Sequence, residues 1–79
     1  MYYVYAISSR VRKYIYVGIS NDVRRRLSEH NSGKNKTTKA YKPFEIIYQE
    51  EYTTRSEARE KEKYLKRGAG KEFLKNLIK

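Results

Sequence analysis

Four residue types that handle charge and protons recur at inward-facing positions of this chain: tyrosine, arginine, histidine and one glutamate. Val23, Leu27 and His30 follow one another at i, i+4 and i+7, and Arg26 stands four residues before His30, one helical turn away on the same side. Farther along, Ala58 and Leu65 mark the buried side of a second helix, and Glu62 falls between them at i+4 and i−3. Burying an unpaired carboxylate costs several kcal/mol, so a Glu there lines a cleft, is paired, or holds a cation. Tyr3 and Tyr5 share one face of a first strand, and Tyr14 and Tyr16 share one face of a second. Nine tyrosines and no tryptophan supply phenols whose hydroxyl reaches a phosphate, a water or a base. Each residue also has a plainer reading. Strand tyrosines pack, a helix-end histidine caps, Arg24-Arg25-Arg26 forms a solvated face, and Glu62 pairs with Lys66 at i+4. Taken together on a basic chain, the set points to phosphodiester chemistry.

The elements that must position these groups follow from periodicity and punctuation. Tyr2 to Ser8 and Tyr14 to Gly18 are aromatic and β-branched runs separated by a polar stretch, which predicts a β-hairpin. Ser20-Asn21-Asp22 offers N-caps and Asn31-Ser32-Gly33 a stop, which bounds a first helix of about three turns. Residues 31–43 hold four lysines and no acid, and they read as an exposed basic loop ended by Pro43. Phe44 to Tyr52 predicts a third strand with a buried centre at Ile46-Ile47-Tyr48. Thr53-Thr54-Arg55-Ser56 supplies caps for a helix from about Glu57 to Arg67, on which Glu57 and Glu60 read as solvated charge. Gly68-Ala69-Gly70 predicts a break, and Lys71 to Ile78 a last helix with Phe73, Leu74, Leu77 and Ile78 on its apolar side. The order is ββαβαα, an α/β (α+β) arrangement with a small three-stranded antiparallel sheet flanked by helices.

The 79 residues suffice for one small domain, expected over residues 1–79. With no cysteine and a single histidine, disulfide staples and a zinc cage of Cys and His are excluded. No signal-like N-terminus and no run of apolar residues long enough to span a bilayer occur, which predicts a cytoplasmic chain without membrane association. Nineteen Lys and Arg against nine Asp and Glu leave a net charge of +10, the composition of a chain that seeks a polyanion. Residues 1–44 carry ten basic and two acidic side chains, so most of that excess lies in the half that holds the tyrosines, the arginine helix and the lysine loop.

Tyr3-Val4-Tyr5 and Tyr16-Val17-Gly18 resemble the two tripeptides of the GIY-YIG nuclease superfamily, which includes the N-terminal cleavage domain of UvrC-type excision nucleases and small stand-alone members. The run Asn21 to Lys34 resembles the family's first helix, with its arginine at Arg26 and its histidine at His30. The run Glu57 to Lys66 resembles the second helix, with the metal-binding glutamate at Glu62. Tyr3 stands where many members have glycine. In some members a C-terminal asparagine completes the site; Asn76 is the candidate here and is left outside the catalytic set.

The resemblance implies a DNA endonuclease dependent on one Mg²⁺ or Mn²⁺, with Tyr5, Tyr16, Arg26, His30 and Glu62 as the catalytic set and a role in DNA repair or recombination. Which tyrosine acts as base stays open. Arg25, the loop residues Lys34, Lys36, Lys39 and Lys42, and Lys66, Arg67 and Lys71 are the expected phosphate contacts. Such contacts position a backbone without reading sequence, which predicts weak sequence specificity or selection of DNA structure. The alternative is a nucleic-acid-binding module of the same fold with little or no cleavage. The small size further implies a monomer or weak dimer whose targeting comes from a partner protein or domain.

Overall fold

The computed structural model describes residues 1–78. Strand β1 (Tyr2–Ser9) is central and pairs antiparallel with β2 (Ile15–Ser20) on one side and β3 (Phe44–Tyr52) on the other, giving the order β2-β1-β3. Helix α1 (Val23–Ser32) precedes β3, and α2 (Arg55–Leu65) and α3 (Gly68–Leu77) follow it, so the order is ββαβαα as the periodicity predicts. The central strand is covered on both faces, and its residues Val4, Tyr5, Ala6 and Ile7 are all fully buried rather than alternating in and out. Val4 and Ala6 pack with Val17, Ala58, Leu65 and Leu74 on one face of the sheet. Tyr5 and Ile7 pack with Val23 and Phe44 on the other.

Local chemistry sets most boundaries. Asp22 caps α1 by accepting the Arg25 N–H, and Gly33, at φ 82°, closes it by donating its N–H to the Glu29 and His30 carbonyls. Thr54 and Glu57 form a reciprocal capping box at the start of α2, so Glu57, exposed as expected, is also a structural cap.

Four expectations need correction. The centre of β3 is not buried: Ile46 is exposed, and Ile47 and Tyr48 are half-buried, because β3 is an edge strand. Its register also slips, with Ala6 opposite Tyr48 and Ile7 opposite Ile46, leaving Ile47 as the extra residue of a bulge. Residues 31–43 are not simply an exposed loop. Thr38 is fully buried, Lys39–Tyr41 forms a turn of 3-10 helix, and the Tyr41 ring stacks on Tyr14 with centroids 4.2 Å apart. The Asn31 side chain fastens this segment by accepting the Phe44 N–H at 2.6 Å and donating to the Phe44 carbonyl at 3.2 Å.

Gly68-Ala69-Gly70 does not separate two helices as a loop, because it forms the first turn of α3. A Cβ at Gly70 would collide with the Tyr64 carbonyl, so this glycine permits the tight α2–α3 corner. On α3 only Leu74 of the expected apolar side is buried, while Phe73, Leu77 and Ile78 remain exposed. Among the described residues no helix is long and apolar enough to cross a membrane.

Candidate active site

Tyr5 lies directly opposite Gly18 in the β1–β2 ladder. With no side chain on Gly18, the Tyr5 ring leans across the neighbouring strand; a Cβ there would stand 2.9 Å from the Tyr5 hydroxyl and 3.1 Å from the Tyr16 ring. This places the Tyr5 hydroxyl 3.3 Å from His30 Nε2, and the Tyr16 ring packs against the His30 imidazole at a centroid distance of 4.6 Å. The other imidazole nitrogen, Nδ1, is 2.8 Å from Thr38 Oγ1, and the Thr38 hydroxyl donates to the Asn35 carbonyl at 3.5 Å. Tyr5, His30 and Thr38 are all fully buried. The network assigns the tautomer: Thr38 accepts from Nδ1–H, and the Nε2 lone pair accepts from the Tyr5 hydroxyl.

Arg26 completes the cluster. Its guanidinium stands beside the Tyr5 hydroxyl and donates, through Nη1, to Glu29 Oε1 at 2.7 Å. Burial pushes the Tyr5 phenol above its ordinary pKa, and the Arg26 guanidinium beside it opposes that without overcoming it. The resting phenol is therefore neutral. Burial also holds the His30 imidazole below its usual range; the Arg26 charge reinforces this and Glu29 counters it. The neighbouring Tyr5 hydroxyl and the paired Glu29 carboxylate raise the pKa of the guanidinium itself, against burial. The resting site is thus a neutral phenol and a neutral imidazole beside one paired guanidinium.

Of the five expected catalytic residues, the structure brings Tyr5, Tyr16, Arg26 and His30 into one cluster on the α1 face of the sheet. Tyr16 is only half-buried, so it is the phenol of the pair that meets solvent. Glu62 sits between Ala58 and Leu65 on α2, the helix that covers the other face. Its side chain is only 17% exposed, and its one hydrogen-bonding partner among the described residues is Lys66, whose Nζ lies 3.2 Å from Oε2. Lys66 and Tyr16 in turn line a common groove of about 980 Å³ along the free edge of β2, with Val17, Leu65 and Leu74 as its floor.

Sequence reasoning missed Gly18 as a spacer for Tyr5, Glu29 as the counter-ion of Arg26, and Thr38 as the partner of His30. Only Glu29 carried a local signal, its i+3 spacing from Arg26.

Among the described residues no three His, Cys, Asp or Glu side chains converge as a ready metal cage. The donor set nevertheless fits one hard divalent ion. Glu62 presents a largely sheltered carboxylate whose Oε1 has no protein partner among the described residues, and Mg²⁺ takes its remaining ligands from water and phosphate.

The expected phosphate contacts Arg25, Lys34, Lys36, Lys39, Lys42, Lys66, Arg67 and Lys71 are all exposed. Lys66 and Lys71 rim the β2 groove together with Lys13 and Lys75, which the sequence did not single out. Lys39 and Lys42 fold over Gly33 at the C-terminal end of α1, where the helix dipole favours cations. Asn76 is exposed on α3.

Residues 1–76 match the family model of the GIY-YIG catalytic domain. The chain belongs to the GIY-YIG family. Its two signature tripeptides meet across the β1–β2 ladder at one pair, Tyr5 of the first opposite Gly18 of the second. The chain is 44% identical over 62 residues to the UPF0213 protein SERP0126 of Staphylococcus epidermidis, covering 77% of this chain and 76% of that one. It is 42% identical over 66 residues to a UPF0213 protein of Streptococcus pneumoniae, covering 82% and 66%. Among solved structures it resembles the solution structure of the UPF0213 protein BH0048 from Bacillus halodurans, with a TM-score of 0.56 and 29% identity over 100% of this chain and 86% of that one. GIY-YIG membership implies nuclease-type activity with DNA as substrate, in a family whose nucleases generally use divalent metal ions.

Proposed function

We propose that this GIY-YIG domain is a divalent-metal-dependent DNA endonuclease of weak sequence specificity, selecting DNA structure rather than base sequence. The observation that carries the reading is the buried line Thr38–His30–Tyr5, with the Arg26 guanidinium against the same phenol. A packing role alone does not require a buried imidazole bonded at both nitrogens beside an arginine.

Arg26 is the phosphate clamp: its fork exchanges Glu29 for a phosphoryl oxygen and neutralises the charge that builds there. Tyr16, open to solvent, orients the attacking water. Tyr5 donates to His30 Nε2, which fixes the phenol hydroxyl beside Arg26, while Thr38 holds the imidazole ring. Glu62 is the residue that would hold the divalent ion, which when bound supplies Lewis-acid stabilisation of the phosphoryl group. The lysines and arginines named above as phosphate contacts hold flanking phosphates.

The test is cleavage of nicked, branched and single-stranded DNA with Mg²⁺ or Mn²⁺, comparing wild type with Arg26→Ala and Glu62→Ala. Loss of cutting in both variants is expected. If wild type cuts no substrate, or both variants cut as well as it does, the enzyme reading fails. One observation favours the second reading, a nucleic-acid-binding module: at rest Arg26 is held by Glu29 and Glu62 by Lys66. Steep, salt-sensitive DNA binding without cleavage would select it.

A further inference from the structure

A second cleft, of about 290 Å³, opens where the end of β2, the start of β1 and the first turns of α1 and α2 meet. Three guanidinium side chains line it, Arg25, Arg26 and Arg55, together with Tyr2, Ile19 and the Ser20-Asn21 corner. Helix α1 breaks the ordinary charge rule here, and α2 sets an arginine beside its one first-turn carboxylate, Glu57. The positive end of a helix dipole favours acidic residues, yet the first turn of α1 has none and carries Arg24, Arg25 and Arg26, and α2 begins on Arg55. The nearby carboxylates are already engaged: Asp22 accepts the Arg25 N–H, and Glu57 closes the capping box with Thr54.

Counter-charge inside the cleft is scarce. Arg26 pairs with Glu29, Arg25 reaches only the Asn21 amide oxygen at a long 3.5 Å, and Arg55 forms no ion pair among the described residues. Three guanidiniums gathered at two helix N-termini leave the cleft short of negative charge, and such local conflicts are retained where a ligand relieves them.

We infer that Arg55 and Arg25 form a subsite for a nucleic-acid phosphate next to the one held by Arg26. The inference rests on the nuclease reading for the identity of the anion. Continuity supplies its place: Arg26 belongs both to this cleft and to the Tyr5–His30 cluster, so an anion in the cleft is the immediate neighbour of the reacting phosphate. A guanidinium fork matches two phosphate oxygens, and the Tyr2 ring and Ile19 provide an apolar wall for the attached sugar. Because these contacts reach the backbone alone, the subsite sets register along the strand without reading bases.

Binding of a fluorescent DNA oligonucleotide in EDTA, followed across a salt series, tests this independently of cleavage. Arg55→Gln is expected to reduce the slope of log K against log salt by about 0.7–0.9, the value of one lost phosphate contact. Arg25→Gln/Arg55→Gln should reduce it further. Arg59→Gln, an exposed α2 position outside the cleft, should leave it unchanged. A single neutral methylphosphonate beside the cleavage position should abolish the difference between wild type and Arg55→Gln. Equal slopes for wild type and Arg55→Gln overturn the inference, as does an Arg55 effect that persists whichever neighbouring phosphate is neutralised. If wild type binds but does not cut when metal is supplied, the nuclease reading fails and the slopes still decide the subsite. If wild type binds no DNA at low salt, both fail.

Discussion

The Tyr5 ring occupies the space that a side chain on Gly18 would fill, so one glycine on β2 determines where the hydroxyl of a tyrosine on β1 can stand. That hydroxyl is the meeting point of His30 and Arg26. The second signature tripeptide thereby acts on the first through the cross-strand pairing.

Gly18→Ala should displace the Tyr5 hydroxyl rather than merely crowd it. Overpacking of this kind costs about 1–3 kcal/mol. Urea unfolding should show a loss of that size, and DNA cleavage should fall much further than folding does, since the lost geometry is that of the site.

Thr38→Val keeps the shape of the side chain but removes the oxygen that accepts from His30 Nδ1–H. An unmet buried polar group costs about 1–3 kcal/mol. The expected result is a lower unfolding free energy and a lower kcat, with both restored substantially by Thr38→Ser. Equal kcat in wild type and Thr38→Val would remove Thr38 from the positioning of His30.

His30 is neutral in the folded chain because burial depresses its pKa below that of the unfolded chain. Between those two pKa values the unfolded chain binds more protons, so stability rises with pH there. The His30 contribution is fully present above about pH 6.5, the unfolded value, and is lost as the pH falls through the lowered folded value. Urea melts from pH 5 to 8 should follow this course, and His30→Gln should flatten it. Cleavage should fall over the same acid range, because a protonated Nε2 cannot accept from Tyr5.

Lys66 pairs with the Glu62 carboxylate, so in the proposed nuclease a divalent ion would have to compete with it. Lys66→Met should therefore lower the Mg²⁺ concentration needed for half-maximal cleavage while weakening DNA binding, since Lys66 also rims the β2 groove. Titrating metal at saturating DNA separates the two effects. Glu62→Gln should raise the metal requirement instead.

Periodicity and caps determined a good deal by themselves. The order ββαβαα, the ends of α1, and the inward positions of Tyr5, Tyr16, Arg26 and His30 follow from repeats of two and 3.6 residues and from Asp22 and Gly33, all of them local properties of the chain. The tripeptides and their spacing also reported the family. Only the tertiary structure decided what those positions face. Which strand is central depends on pairing between distant segments, and this made β1 buried throughout and left Ile46 on an exposed edge. Thr38 lies in a stretch without periodicity and with abundant lysine, so nothing local marks it as buried; the docking of Tyr41 on Tyr14 and of Asn31 on Phe44 folds it onto His30. Arg55 reads as an ordinary helix-start residue until β2, α1 and α2 bring it beside Arg25 and Arg26, because a charge cluster is a relation among elements that a linear chain does not display.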